Sequence, residues 1–223
     1  MLSQKIGISG STLKIIAIIT MLIDHIGGIL FPQYVFLRII GRLAFPIFCF
    51  LLVEGFLHTH NVYSYALRLG LFALISEVPF DLAIYHVPFY PYHQNVFFTL
   101  LIGLLVLIGF KNFQERPFIQ LMIFAVGAFL ALKCQVDYGV FGVAMIVLIY
   151  LYSIHHNFLI LALGFVFLNF LAKGIQCFGA LAILPIALYN GKRGISLKYI
   201  FYIFYPAHLL TLYFIYLFKY VYK

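Results

Sequence analysis

Apolar runs of membrane-spanning length follow one another along this chain, and the connections between them are too short to hold a soluble domain. That succession leaves few folds open. A helix needs about 20 mainly apolar residues to cross the hydrocarbon core. Within that core only helices and closed barrels can satisfy their own backbone groups. The runs predict helices at 11–30, 35–57, 63–84, 96–110, 118–132, 138–152, 158–172, 176–189 and 197–216. The sixth to eighth are short, so eight spans plus a re-entrant element fit equally well. The expected fold class is all-α: a polytopic transmembrane bundle of about nine helices, forming one integral-membrane domain over residues 1–223.

Composition removes most other classes. The chain is 65% hydrophobic and only 9% charged, where a soluble domain carries about 25% charged residues to solvate its surface. The net charge of +8 would suggest nucleic acid in a soluble protein. Here it is read as the excess of Lys and Arg that cytoplasmic loops collect, because no basic, aromatic-interleaved soluble segment exists. Cys49, Cys134 and Cys177 are scattered without metal or disulfide spacing. His58-Thr59-His60 and His155-His156 lack a third ligand, so no metal is expected. The first apolar run follows basic residues without a small-residue cleavage site and reads as a retained helix.

Basic residues set the expected orientation. With nine spans and a cytoplasmic N-terminus, Lys5, Lys14, Arg68, Lys111, Arg116, Lys192, Arg193 and Lys198 gather inside, against Lys133, Lys173, Lys219 and Lys223 outside. The location expected is the inner or plasma membrane.

Five of the six acidic residues, Asp24, Glu54, Glu77, Asp81 and Asp137, lie within or beside the apolar runs. An ionised group in a bilayer costs several kcal/mol unless it is paired or faces a wet cavity, so such residues mark a functional site by default. Asp24, His25, Arg38, Arg42, Glu77, Asp81, Asn95 and Asp137 should converge on one layer toward the outer side, with His208 near mid-membrane. Asp24 and His25, as helix neighbours, point about 100° apart, so any carboxylate orienting His25 should come from another helix. Arg38 and Arg42, at i and i+4, share a face, as do Glu77 and Asp81 around Pro79. The economical expectation is that the two arginines neutralise those two carboxylates. Lys14 and His25 share a face about 16 Å apart along the first helix, a stripe suited to a long anionic ligand. Asn190-Gly191-Lys192-Arg193-Gly194, with Lys198 beyond, offers cations and backbone N–H groups for phosphate. Familiar hydrolase, zinc-protease, nucleotide-loop and dinucleotide motifs are missing.

The blocks MLIDHIGGILFP, LRIIGRLAFPIFCFLLVEGFLHT, RLGLFALISEVPFDLA, NVFFTL, DYGVFGV, YNGKRG and FYPAHLL together resemble the TraX family of integral-membrane proteins, from about residue 13 to residue 216. The resemblance implies a membrane acetyltransferase, similar to the pilin N-acetylase after which the family is named and to the broader membrane acyltransferases. Those relatives carry an Arg-x10-His pattern in the first helix, where this chain has Lys14 and His25. It implies His25 as general base, with direct transfer or a covalent acetyl-imidazole both open. Arg42 or Arg38 would support the thioester oxyanion. Asp24, Glu77, Asp81 or Asp137 would orient His25, and His208 is a further catalytic candidate. Lys14, Asn190, Lys192, Arg193 and Lys198 would hold acetyl-CoA. The partners implied are the lipid bilayer, acyl-CoA, and a peptide, glycan or lipid acceptor; no nucleic acid is expected. A non-enzymatic assembly factor for surface fibres or envelope polymers, and a proton-coupled transporter, use the same residue types.

Overall fold

The computed structural model describes residues 7–171, 174–196 and 198–221, and within them the chain is helical throughout. Its helices are α1 (Gly10–Ile29), α2 (Val35–Gly41), α3 (Ala44–His58), α4 (Val62–Tyr85), α5 (Val96–Asn112), α6 (Pro117–Lys133), α7 (Gly139–His155) and α8 (Phe158–Leu171). A 3-10 helix, Gly174–Ala182, then leads directly into α9 (Ile183–Ala187), and α10 (Lys198–Tyr216) ends in a π-helical turn, Leu217–Val221. Lys5, Lys173 and Lys223 lie outside the described residues, as does the side chain of Lys198.

Helix boundaries follow local chemistry. The Ser9 hydroxyl caps α1 by accepting from the Thr12 amide at 3.2 Å, and Asn61 and Asn95 cap α4 and α5 in the same way. Pro117 stands in the first turn of α6, where its missing N–H costs nothing. The predicted run 35–57 is divided into α2 and α3 by a turn at Arg42–Leu43. Pro46 explains this break: it cannot donate to the Arg42 carbonyl, and its ring crowds that carbonyl. The freed carbonyl instead lies against Gly179 of the 3-10 segment. Pro79 and Pro206 sit inside α4 and α10, which remain continuous and pack side by side.

Three helices are long and apolar enough to cross a membrane by themselves: Gly10–Ile29, Val35–His58 taken through the turn, and Tyr199–Val221. The shorter apolar helices include Gly174–Ala187. Nine residues of 3-10 helix and five of α-helix extend about 25 Å at their respective rises. This segment therefore runs from the end of α8 to the start of α1 and does not turn back, so the re-entrant alternative is not taken. Large apolar side chains point outward on every face, among them Phe118, Leu121, Phe129, Leu163, Phe167 and Phe214. Among the described residues the bundle is apolar on its outer surface as well as in its core, and the molecule is a membrane protein.

The two ends are distinct. One gathers the start of α1, the α3–α4 loop, the end of α5 and the 188–196 segment: Gly10 donates to the Lys192 carbonyl, Tyr189 reaches Glu54, and Lys111 lies over the Phe56 ring. The other gathers the α1–α2 loop, the α4–α5 loop and the end of α10: the Tyr220 hydroxyl donates to the Leu30 carbonyl, and His86 stacks on Tyr216. Lys14, Arg68, Lys111, Arg116, Lys192 and Arg193 belong to the first end, Lys133 and Lys219 to the second.

Close approach of α1 and α2 depends on small residues. A Cβ on Gly41 would collide with the Asp24 side chain. We therefore expect Gly41→Ala to destabilise the bundle by about 1–3 kcal/mol, read as a lower midpoint of thermal unfolding in detergent. An unchanged midpoint would show that the α1–α2 contact contributes little.

Candidate functional site

Asp24 is buried in α1, only 7% exposed, and both its oxygens accept from Nη2 of Arg42. Arg38 reaches the same carboxylate through Nη1 at 3.1 Å. Gly27 and Gly28, directly below, leave the space through which Leu37 and Arg38 enter. The sequence expectation is corrected here, since both arginines neutralise Asp24 on the adjoining helix and neither pairs with Glu77 or Asp81. Two guanidiniums on one buried carboxylate leave a net positive group, a suitable neighbour for developing negative charge. Arg42 also donates from Nη1 to Gln176 at 3.4 Å, and Gln176 donates to Asn169, so the cluster reaches the 3-10 segment and α8.

Beside it, His25 and His208 face each other, with Nδ1 of His25 2.7 Å from Nε2 of His208. The other nitrogen of His208, Nδ1, is 2.7 Å from the Phe204 carbonyl. A carbonyl only accepts, so His208 Nδ1 carries the proton and Nε2 is an acceptor. His25 must then donate from Nδ1, which leaves the lone pair on its Nε2. No carboxylate orients His25 among the described residues; His208 of α10 does, correcting the expectation of Asp24, Glu77, Asp81 or Asp137. Tyr205, one turn before His208, presents its ring edge-on to both imidazoles.

The remaining acids serve the α4–α5 connection. Asn95 donates from Nδ2 to the Ala73 carbonyl at 2.8 Å and to Glu77, while Asp81 accepts from the Tyr90 amide at 2.7 Å. Among the described residues Glu77 Oε1 and Asp81 Oδ1 are buried without a hydrogen-bond partner. His93 bridges to Asp137 at 3.3 Å, and Gln94 donates to the Gln135 carbonyl, tying this connection to the one before α7. Sequence reasoning therefore placed these residues at the correct end, but they form a strap and do not surround His25.

At the opposite end a cavity of about 440 Å³ opens between α1, α3, α4, α10 and the 188–196 segment. Its polar wall holds Lys14, Arg68, Arg193, Glu54, Tyr189 and Tyr202, and its depth is apolar, with Phe48, Leu52, Leu100 and Phe201. Lys14 and Arg193 are as expected. Asn190 and Lys192 are not among the described lining residues, and the Lys198 side chain lies outside the described residues. Part of the loop's polar surface is engaged within the fold. Lys192 and Arg193 present carbonyls to the Gly10 and Ser11 amides, Asn190 Oδ1 accepts from the Lys192 amide, and Ser11 Oγ accepts from that of Ile195. The loop thus caps α1, with Gly191 and Gly194 in the left-handed region at φ 76° and 71°.

Arg68 was not singled out as a site residue. Its guanidinium packs over Tyr65 and lines the cavity together with Tyr202, and among the described residues its buried Nε has no hydrogen-bond partner. Nothing in the spacing of residues 68 and 202 signals that they share one cavity. Between the cavity and the histidine pair, one face of α10 carries Tyr202, Tyr205 and His208, and Phe97 of α5 packs against Phe201, Tyr202 and Tyr205. The two sites thus share one helix.

The TraX family profile, described as TraX protein, matches residues 9–216. This chain belongs to the TraX family. It is 32% identical to the probable fimbrial assembly protein FimC, serogroup H1, of Dichelobacter nodosus, over 95% of this chain and 97% of that protein. A stretch of 38 residues is 58% identical to the uncharacterised protein RP591 of Rickettsia prowazekii, covering 17% of this chain and 15% of that one. No solved structure matches.

The strap should respond to pH. The hydrogen bond to Asp137 raises the His93 value above the ordinary imidazole range, against burial, with the Asp137, Glu77 and Asp81 charges adding to the rise. A raised value means the clasp contributes fully below about pH 6.5 and is lost as pH rises through the folded-state value. After correction for intrinsic exchange, amide protection of Tyr90 and Gln94 should fall as the pH is raised above about 6.5 in the wild type. In His93→Gln it should be low throughout. Equal protection below and above that pH in the wild type would refute the clasp.

Proposed function

We propose that this protein is a membrane-embedded acyltransferase, moving an acetyl group from acetyl-CoA to an amine or hydroxyl acceptor. The observation that carries the reading is the histidine pair. The Phe204 carbonyl and His208 together leave the Nε2 lone pair of His25 free, next in sequence to the carboxylate that holds two guanidiniums. That is the arrangement a general base beside a developing oxyanion requires.

In this scheme the cavity receives the donor. Lys14, Arg68 and Arg193 attract its phosphates, and the acyl-bearing arm extends along α10 past Phe201, Tyr202 and Tyr205 toward His25. Lys14 and His25 are eleven residues apart on α1, about 16 Å along the axis, so an extended arm must span half the bundle. At the histidine the acceptor's N or O attacks the thioester carbonyl carbon, and its proton passes to His25 Nε2. The C–S bond breaks as the tetrahedral intermediate collapses, and the leaving thiolate takes the proton from His25. Arg42 and Arg38, within electrostatic reach of His25, stabilise the oxyanion. Asp24 is the positioning residue that holds both guanidiniums there.

The excess of cations at the cavity end supports an inner-membrane location with that end, and the N-terminus, in the cytoplasm. The acceptor then arrives at the opposite, strap-covered end. The name of the Dichelobacter nodosus relative, a probable fimbrial assembly protein, supports a surface-fibre subunit as acceptor. That same name favours a second reading, in which the protein assists fibre assembly without chemistry.

The test is acetyl-CoA binding and CoA release by purified protein in detergent. His25→Ala should retain donor binding and lose turnover by about 10²–10⁴-fold. Arg68→Ala with Arg193→Ala should weaken binding by at least about tenfold, the loss expected for one charge-assisted contact. Folded wild-type protein that does not bind acetyl-CoA, together with fibre assembly preserved in His25→Ala, would overturn the enzyme in favour of the assembly factor.

A further inference from the structure

A single carboxylate stands among the cations of the cavity. Glu54 lies one turn before the end of α3, on the same polar wall as Lys14, Arg68 and Arg193, and pairs with none of the three among the described residues. Its Oε2 accepts from the Tyr189 hydroxyl at 2.9 Å. Tyr189 is itself held firmly: residue Ile8 bridges to it, its amide donates to the Ile186 carbonyl, and its ring meets Phe50 edge-on. His58, one helical turn on, has Nδ1 at 2.9 Å from the Glu54 carbonyl and 3.7 Å from Oε2. Oε1 has no hydrogen bond to the described residues, and the side chain is 20% exposed.

A carboxylate in a cavity built for an anion is costly unless it serves the ligand, because it repels phosphate and partly cancels the attraction of the cations. Among the described residues the carboxylate pairs with none of the three cations that line the same space, and a phenol fixes one oxygen so that the other keeps a defined position. An acceptor-only group held this way selects for a hydrogen-bond donor. The apolar floor, formed by Phe48, Leu52, Leu100 and Phe201, accommodates an arm and offers no polar partner. The donor must therefore belong to the polar end of the ligand, close to its phosphates.

We propose that Glu54, positioned by Tyr189, is a specificity residue that reads an N–H or O–H donor on the nucleoside end of the donor substrate. It thereby favours a nucleotide-bearing thioester over a ligand ending in a bare phosphate. This rests on the acyl-CoA reading of the cavity and adds to it. Both ligand types share the thioester, the arm and an anionic group; only one carries amino and hydroxyl groups beside the phosphates. Glu54 accepts from the first and repels the second.

The experiment measures binding of acetyl-CoA and of acetyl-4′-phosphopantetheine, which has the same arm and a terminal phosphate but no nucleoside, to wild type, Glu54→Leu and Glu54→Gln. Wild type should prefer acetyl-CoA. Glu54→Leu should weaken acetyl-CoA by about 10- to 100-fold while phosphopantetheine affinity holds or rises, so the preference collapses. Glu54→Gln, which keeps an acceptor oxygen, should lie between. Equal losses for both ligands, or no change for either, would overturn the role of Glu54 while leaving acyl-CoA binding intact. Wild type that binds neither ligand would overturn the acyl-CoA reading itself and this proposal with it. Tyr189→Phe serves as a second variant: it keeps the carboxylate, and it should reduce the preference without altering phosphopantetheine affinity. If it leaves the preference at the wild-type value, positioning by Tyr189 is refuted.

Discussion

A buried carboxylate in a lipid-embedded bundle is tolerable only if its charge is met, and Asp24 is met twice. Removing one partner of such a buried pair typically costs about 3–5 kcal/mol, because the remaining charge has no water to fall back on. Much of the architecture is arranged to supply those partners. Gly27, Gly28 and Gly41 let α2 approach α1 closely enough for Arg38 and Arg42 to reach across. The break at Arg42–Leu43, imposed by Pro46, turns the chain between α2 and α3. Gln176 and Asn169 extend the network into the least regular crossing segment, where a 3-10 helix replaces an α-helix. One ion pair thus coordinates five consecutive or distant elements, and the polar layer sits where it does because of it.

The molecule separates polarity into two ends joined by α10. One end has a cavity whose walls are charged and whose floor is apolar; the other has paired imidazoles, a doubly neutralised carboxylate and a strap of acids and aromatics. Both carry their polar groups on faces turned away from lipid, as a low-dielectric surround demands. Between them the aromatic rings of Phe97, Phe201, Tyr202 and Tyr205 pack against one another. Pro206 lies within this stretch of α10 and removes a backbone hydrogen bond there, so its local rigidity comes from side-chain packing.

The family resemblance and the structure bear on different matters. Membership in the TraX family rests on a match over nearly the whole chain, while the geometry shows which residues meet. His25 gains weight because it is paired with His208 and has one free basic nitrogen. Lys192 and Asn190 lose it because the loop they occupy is committed to capping α1. Arg68, Glu54 and Tyr189 enter because they share a cavity with Lys14, a relation that only three-dimensional packing creates.

Period, length and punctuation of apolar runs were enough to place most of the helices in order, because in a bilayer every segment must satisfy its own backbone; the division of 35–57 before Pro46 and the 3-10 helix Gly174–Ala182 were not read from them. The presence of a polar interior was also legible, since Asp24, Glu77 and Asp81 could not otherwise be accommodated in apolar sequence. Partnership was not. That Arg42 chooses Asp24 over Glu77, or that His25 meets a histidine 183 residues away, depends on how helices rotate against one another. Local spacing does not encode that rotation; glycine contacts, proline breaks and the packing of rings across helices decide it. The sequence by itself determined a polytopic all-α membrane bundle with charge in its interior, and only the tertiary structure decided which charges neutralise each other, because that depends on how the helices rotate against one another.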